Sequence, residues 1–344
     1  VNAVVGTSSA ETGESPGLPG DIAFIDAAAI REIAHPRVAV AAITAALRDG
    51  LDPEADQPRL SSPLPVGEFL LLPAHSRTHA GLKTLTVAPH NPAAGAPKIQ
   101  GWYLLFDGSD LRPVAVLEGA ALTLVRTPAV TAVAIRGLLG GEQASPSIAL
   151  LTVIGTGPQA EAHVRTLAAV VPVQQVAVLG RRSDAAAALA ARLSDTVPAR
   201  VATDADLRAS DVVITATSSS TPVLGLDDIG ADAIVAAVGA HGLDHREIDA
   251  TLVRAADVIV EGRASALREN GNLMQARPVD EWESGVQSLT TLAELVRSRP
   301  ERLGGRPALY TGVGMAWEDL VMAERIVAER RRTPHVTVAG ESGS

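Results

Sequence analysis

Cysteine is absent from the 344 residues, which excludes disulfides, thiolate metal sites and cysteine nucleophiles. Lysine is nearly absent too: it occurs only at Lys83 and Lys98, and every other cation is arginine. Arginine stays protonated at any relevant pH, whereas a lysine in a tuned environment exchanges a proton, so each surviving lysine is a candidate for work arginine does not do. An excess of basic charge is missing as well. The net charge of −10 argues against a nucleic-acid partner, because a surface that grips phosphates is basic. No uninterrupted apolar run reaches the roughly 18 residues that span a bilayer. No basic segment followed by an apolar one opens the chain, so the expectation is a cytoplasmic protein without a membrane partner. What is present is 47% hydrophobic and 20% charged residues, the profile of packed globular domains, in a chain long enough for two.

The pattern changes along the chain. Residues 1–21 are rich in Gly, Ser, Thr and Pro without periodicity and read as a mobile arm. From Ile25 to about Leu47 apolar residues recur at helical spacing, broken by Pro36 into two helices. Phe69–Pro73, Leu82–Ala88, Trp102–Phe106 and Val114–Leu117 are short strand-like runs, and Asp107 to Asp110 forms a turn between the last two. Strands without intervening helices predict a small antiparallel sheet. Ala121–Leu139 reads as a helix connecting two domains. From Ile148 strands and helices alternate, with strands at Ala149–Ile154, Val176–Leu179, Arg200–Ala202, Val212–Ala216, Ala233–Val238 and Val258–Val260. Helices are expected at Gln159–Val170, Asp184–Leu193 and Glu247–Ala256. Repeated βα units predict a mostly parallel sheet. A last amphipathic helix, from Ala316 to about Arg331, lies outside this repeat and is placed back on the first domain. The expectation is an α/β protein: a Rossmann doubly wound parallel sheet over 126–315, plus a smaller α+β substrate-binding and dimerisation domain from 22–125 and 316–340.

The first strand of the repeat leads into Gly155-Thr156-Gly157-Pro158-Gln159-Ala160. Gly155 permits the tight bend, Gly157 lets the backbone approach a pyrophosphate, and Ala160 lets the helix pack close to the strand. The helix N-terminus then offers free N–H groups to phosphates. A carboxylate at the end of the second strand would bind the ribose hydroxyl of NAD; here stand Arg181, Arg182 and Ser183, which suit a 2′-phosphate. NADP(H) is therefore the preferred cofactor and NAD(H) the alternative. Thr217 and Ser218, after a later strand, are further cofactor candidates, although such residues also fill ordinary turns.

Several segments together resemble the ornithine cyclodeaminase/mu-crystallin family from about Ile25 to Arg331. They are Gly81-Leu82-Lys83-Thr84 followed by Pro89-His90-Asn91, the run Leu122 to Ala129 containing Arg126-Thr127, and Gly155 to Ala160. Val238-Gly239-Ala240-His241 leading to Arg246-Glu247-Ile248-Asp249, and Gly314 to Asp319, complete the set. The resemblance implies a homodimer acting on a small imino, keto or amino acid. It implies that Lys83 binds the substrate carboxylate or carbonyl and takes part in proton transfer. Arg126, whose guanidinium is a natural clamp for an α-carboxylate, would bind that group, with Thr127 on a cofactor phosphate and Val238 and Gly239 beside the dinucleotide. Arg59 is similar in placement to a second carboxylate-binding arginine, with a plain loop arginine as the other reading. At His241 the pattern leads one to expect Asp; a histidine keeps acid/base chemistry but supplies no negative charge for an ammonium or iminium. At Gly312 the family often has Ser. His75 and His79 lie four apart, with His90 beyond, but the segment between them reads as strand–turn–strand and not as helix, so no metal is expected.

The function this implies is NAD(P)H-dependent reduction of a small imino or keto acid, such as a ketimine or a pyrroline-2-carboxylate-type cyclic imine. The alternatives are an ornithine or related cyclodeaminase, an alanine dehydrogenase, and a non-catalytic protein that binds cofactor and ligand.

Overall fold

The computed structural model describes residues 22–140, 146–240, 242–298, 302 and 304–332. The arm expected at 1–21, the end of the first domain beyond Arg332, and His241 lie outside the described residues.

The first sheet has six strands: β1 (Ala23–Ile25), β2 (Leu60–Leu64), β3 (Gly67–His75), β4 (His79–Val87), β5 (Ile99–Asp107) and β6 (Pro113–Glu118). Their order is β1-β6-β5-β4-β3-β2, antiparallel except where β1 joins β6 in parallel. Ile25 thus ends a strand and does not begin the helix expected there. The Asp26 side chain accepts hydrogen bonds from Ala28 N and Ala29 N, and this N-cap starts α1 (Ala27–Ile33) just past Ile25. The break at Pro36 is observed, with proline opening α2 (Pro36–Arg48). Strand β2 was not anticipated, because Leu-Ser-Ser-Pro-Leu has neither alternation nor branched residues; its Pro63 is tolerated at a sheet edge.

Alternation along the strands puts Ile25, Leu72, Lys83, Tyr103, Leu105 and Leu117 on one buried face. Lys83 therefore sits in a core row. Helix α3 (Gly119–Leu138) and the C-terminal helix, α12 (Ala316–Arg332), pack on that face. By length and composition α3 is apolar enough to cross a membrane, although no apolar run in it is uninterrupted, because its mean hydropathy survives the two charges of Arg126 and Arg136. Most of it is buried inside the protein, as a helix apolar all round should be.

The second sheet holds β7 (Ile148–Ile154), β8 (Val173–Leu179), β9 (Ala199–Val201), β10 (Val212–Thr215), β11 (Ile234–Ala237), β12 (Asp257–Val260), β13 (Leu289–Thr291) and β14 (Ala308–Thr311). The order is β13-β12-β14-β11-β10-β7-β8-β9, and every pairing is parallel. This is the doubly wound pattern expected, with the order reversing between β7 and β10, where open sheets bind ligands. Strands β13 and β14 are three and four residues long and carry too little pattern to be read in advance. Between the strands run α4 (Pro158–Val170), α5 (Ser183–Leu193), α6 (Asp204–Ala209), α7 (Ala250–Ala255), α8 (Arg263–Glu269), α9 (Gly271–Met274), α10 (Val279–Glu283) and α11 (Leu292–Ser298). The helix expected from Glu247 begins only at Ala250, capped by Asp249, because Glu247 is spent on a buried task described below.

Candidate active site

At the reversal point β7 is followed by Gly155, whose φ is +131°. A Cβ there would lie 2.5 Å from the Ala216 carbonyl oxygen, so this bend admits glycine alone. Gly157 is the N-cap of α4 and Pro158 its first residue; a Cβ on Gly157 would meet nothing within 4 Å, which leaves the approach open. Ala160 is buried against the sheet. The Oγ1 of Thr127 and the Oε1 of Gln159 are buried without a hydrogen-bond partner. An open glycine turn, a free helix N-terminus and two orphaned polar atoms beside it fit a dinucleotide pyrophosphate. Arg181 and Arg182, between β8 and α5, and Ser183, the first residue of α5, are exposed, with Arg182 loosely paired to Asp184 at 3.3 Å.

Glu247 explains how the next two strand ends are held. Fully buried, it accepts from Thr217 N at 2.7 Å, Thr217 Oγ1 at 2.8 Å and Gly239 N at 2.7 Å. One carboxylate therefore ties the loop after β10 to the loop after β11. Ser218 stays exposed beside it, and Val238 N donates to Thr215 O. Asn272 Oδ1 anchors Glu247 in turn by accepting from its backbone N–H at 2.7 Å.

Lys83 and Arg126 come together where α3 and α12 cross the first sheet. Lys83 is 1% exposed; its Nζ donates to Thr123 Oγ1 at 2.6 Å and Asp319 Oδ1 at 2.8 Å, and an ammonium has a third N–H to give. Burial pulls the Lys83 ammonium down to about 8 against the attraction of Asp319. Arg126 donates through Nη1 to Glu318 Oε2 at 2.6 Å, while its Nε lies 3.6 Å from Asp319 Oδ1 and makes no hydrogen bond. Burial disfavours its charge, but Glu318, Asp319 and Glu261 outweigh burial and hold its pKa above the usual arginine value.

Arg59 also turns inward. Its Nη2 donates to the carbonyls of Val313 and Gly314 at 3.1 and 2.9 Å, and its Nε is 2.5 Å from Glu269 Oε2. Two neighbours on the same segment work alongside it. Glu54 accepts from Arg263 N and Ala264 N, and Asp56 from Ala316 N and Trp317 N. Residues 54–59 thus fasten the antiparallel half to the N-termini of α8 and α12. Burial first, offset by its backbone bonds, raises Asp56 to about 6.

The glycine at 312 has a structural reason. A Cβ there would be 2.6 Å from Glu261 Oε1 and 2.7 Å from the Tyr310 hydroxyl, so those groups fill the space a serine would need. Asp319, Glu318, Glu261, Glu247 and Thr123 carried no expected role. The signal available was indirect: a buried Lys83 and Arg126 must have anionic partners, and Glu318-Asp319 heads the last helix. Among the described residues no group of three or more His, Asp or Glu is placed to hold a metal ion. A cleft of about 490 Å³ opens between the two halves, lined by Arg59, Leu70, Leu243, Arg268 and Glu269 among others.

Comparison with known proteins gives a consistent picture. A model of the ornithine cyclodeaminase/mu-crystallin family matches residues 26–333. The chain is 38% identical over 265 residues to the Delta(1)-pyrroline-2-carboxylate/Delta(1)-piperideine-2-carboxylate reductase of Azospirillum brasilense, covering 76% of this chain and 81% of that one. A probable ornithine cyclodeaminase from Bordetella pertussis Tohama I superposes with a TM-score of 0.80 at 29% identity, over 91% of this chain and 99% of that one. The Delta(1)-pyrroline-2-carboxylate reductase of Thermococcus litoralis, solved with NADH and L-proline, shares the fold with a TM-score of 0.80 at 22% identity, covering 90% and 98%.

Proposed function

We propose, from the premise that this chain belongs to the ornithine cyclodeaminase/mu-crystallin family and is a nicotinamide-dependent oxidoreductase of small imino or keto acids, that its substrate is a five- or six-membered cyclic imine bearing an α-carboxylate. The observation that carries this reading is the buried Lys83–Arg126 pair beside a leucine strip. Leu72 is the cross-strand partner of Lys83, and Leu70 and Leu85 are paired on the same face. Such a strip suits the methylenes of a ring.

Arg126 holds the carboxylate through Nε and Nη2, and Arg59 closes the cleft wall behind it. Lys83 donates its third N–H to the imine nitrogen, polarising the C=N bond and delivering the proton that the product amine keeps. The dinucleotide, when bound, supplies the hydride; Thr127, Gly155, Gly157, Pro158, Gln159 and Ala160 would hold its pyrophosphate, and Thr217, Val238 and Gly239 its nicotinamide half. His241, a second candidate proton carrier, rests on sequence alone.

The test is oxidation of NADPH and NADH with Δ1-pyrroline-2-carboxylate, Δ1-piperideine-2-carboxylate and pyruvate plus ammonia. Turnover of the cyclic imines is expected. Proline and ammonia formed from ornithine, without imine reduction, would overturn the reading.

NADPH is the preferred cofactor in this proposal because Arg181 and Arg182 flank the ribose position and no acid replaces them. Replacing both by alanine should raise KM for NADPH about tenfold or more, the worth of one or two charge-assisted hydrogen bonds, and leave KM for NADH unchanged. Equal effects on the two cofactors would assign the arginines to the surface.

The homodimer is proposed on the outer face of the first sheet. Phe24, Leu60, Phe69 and Trp102 are 56, 58, 39 and 41% exposed there, and Phe24 packs at a tilt against Trp102 with centroids 5.1 Å apart. A contiguous apolar sheet face of this kind is normally covered, and a second copy of the same face is the occupant that the family resemblance supplies. Trp102→Glu should convert the protein to a monomer in light scattering; an unchanged mass would place the contact elsewhere.

A further inference from the structure

Two buried acids beside Arg126 remain without a task in this reaction. Glu261 follows β12 and is 4% exposed; Glu318, in the first turn of α12, is fully buried. Glu261 Oε2 accepts from Val313 N and Gly314 N, both at 2.9 Å, and its Oε1 accepts from the Tyr310 hydroxyl at 3.1 Å. Glu318 accepts from Met315 N at 3.0 Å and from Arg126 at 2.6 Å. The two carboxyl groups converge on one spot: Gly314 N donates to Glu261, and a Cβ on Gly314 would lie 2.5 Å from the Arg126 Nη1 that donates to Glu318. An ionised carboxylate has acceptors only, so two of them buried side by side repel unless a proton lies between them.

We propose that Glu261 and Glu318 hold one proton between them and act as a single monoanion that positions Arg126 for the substrate carboxylate. The proposal rests on the role given to Arg126 above. The charges facing the pair then balance. Lys83 and Arg126 are positive, while Asp319 and the acid pair are negative. Of the other groups nearby, Arg59 is matched by Glu269. Burial, with Glu261 beside it, keeps Tyr310 neutral, and Asp56 is tied to the α12 N-terminus. With the proton gone, three carboxylates would surround Arg126, and a carboxylate ligand would meet repulsion where it needs attraction. Burial and then the charge of Glu261 push Glu318 well above the usual carboxylate range, in keeping with retention of that proton. The pair are positioning residues: they touch Arg126 and the 313–314 backbone, which Arg126 and Arg59 also contact.

Glu261→Gln mimics the one-proton state. Its amide oxygen can take the Val313 and Gly314 N–H groups, and its amide nitrogen can donate to Glu318 and to the Tyr310 oxygen. Two measurements on the full chain test the idea, neither of which needs turnover. Infrared spectra should show a protonated carboxylic acid band in the wild type that both Glu261→Gln and Glu318→Gln remove. Calorimetry with L-proline as the probe should give Glu261→Gln an affinity within about threefold of wild type, and Glu261→Ala a loss of about tenfold or more. Affinity should fall more steeply at alkaline pH in the wild type than in Glu261→Gln, where only the titration of Lys83 near 8 remains, a difference that a purely structural role would not produce. Absence of the acid band, or a Glu261→Gln variant as weak as Glu261→Ala, overturns the proposal; if Glu261→Ala does not fold, the pH dependence of Glu261→Gln decides. A wild type with the band but neither proline affinity nor imine turnover would instead sink the substrate assignment and leave the shared proton standing.

Discussion

Lys83→Met is expected to lower kcat/KM for the cyclic imine by about 10²–10⁴-fold, the range for removing a positioned proton donor, with a smaller effect on proline affinity. Methionine fills the same core slot between Leu72 and Tyr103 but gives no N–H to the substrate. Asp319 keeps the Arg126 Nε at 3.6 Å, so the fold should survive for the comparison. The pH profile gives an independent handle. The active form is the ammonium, and burial has brought Lys83 to about 8, so kcat/KM should be level below that value and fall as pH rises through it. In Lys83→Arg the residual activity should lose this alkaline limb, because a guanidinium does not titrate there. A Lys83→Met enzyme with near wild-type kcat would assign the proton to another group.

Arg126→Met should damage both binding and stability. Losing a charge-assisted clamp weakens proline binding by about 10–100-fold. The same change leaves Glu318 and Asp319, both fully buried, without their shared cation. Breaking a buried pair by removing one partner costs about 3–5 kcal/mol, read as a lower urea midpoint with unchanged slope. A second substitution separates the two effects. Arg126→Met with Glu318→Gln removes the stranded acid and should recover part of the stability while binding stays lost. If Arg126→Met is as stable as wild type, the cluster is not held together by its charges.

The parallel half was open to reading from sequence because its signals are local. A run from Ile148 to Ile154, a glycine turn and a helix beginning at Pro158 define one another within a few residues. The short strands β13 and β14 were not, since Leu289–Thr291 and Ala308–Thr311 are strands only because β12 and β11 lie beside them. Lys83 and Arg126 stood out through composition and resemblance. Their partners did not, because Asp319 and Glu318 lie 236 and 192 positions along the chain from them. Only the folded chain shows that a first-turn acid on α12 is buried while one on α5, Asp184, is exposed.

The chain passes from the antiparallel half to the parallel half within α3 and returns at 312–315. These two crossings touch: a Cβ on Gly314, whose φ is +74°, would fall 2.5 Å from the Arg126 Nη1. A body joined to another at two adjacent points pivots about the line through them, and what lies on that line moves least. Separating the walls around Leu70 and Leu243 to exchange a nucleotide would therefore leave Lys83, Arg126 and Asp319 in place. The costly assembly of buried charges need be built only once, at folding, and each turnover inherits it intact.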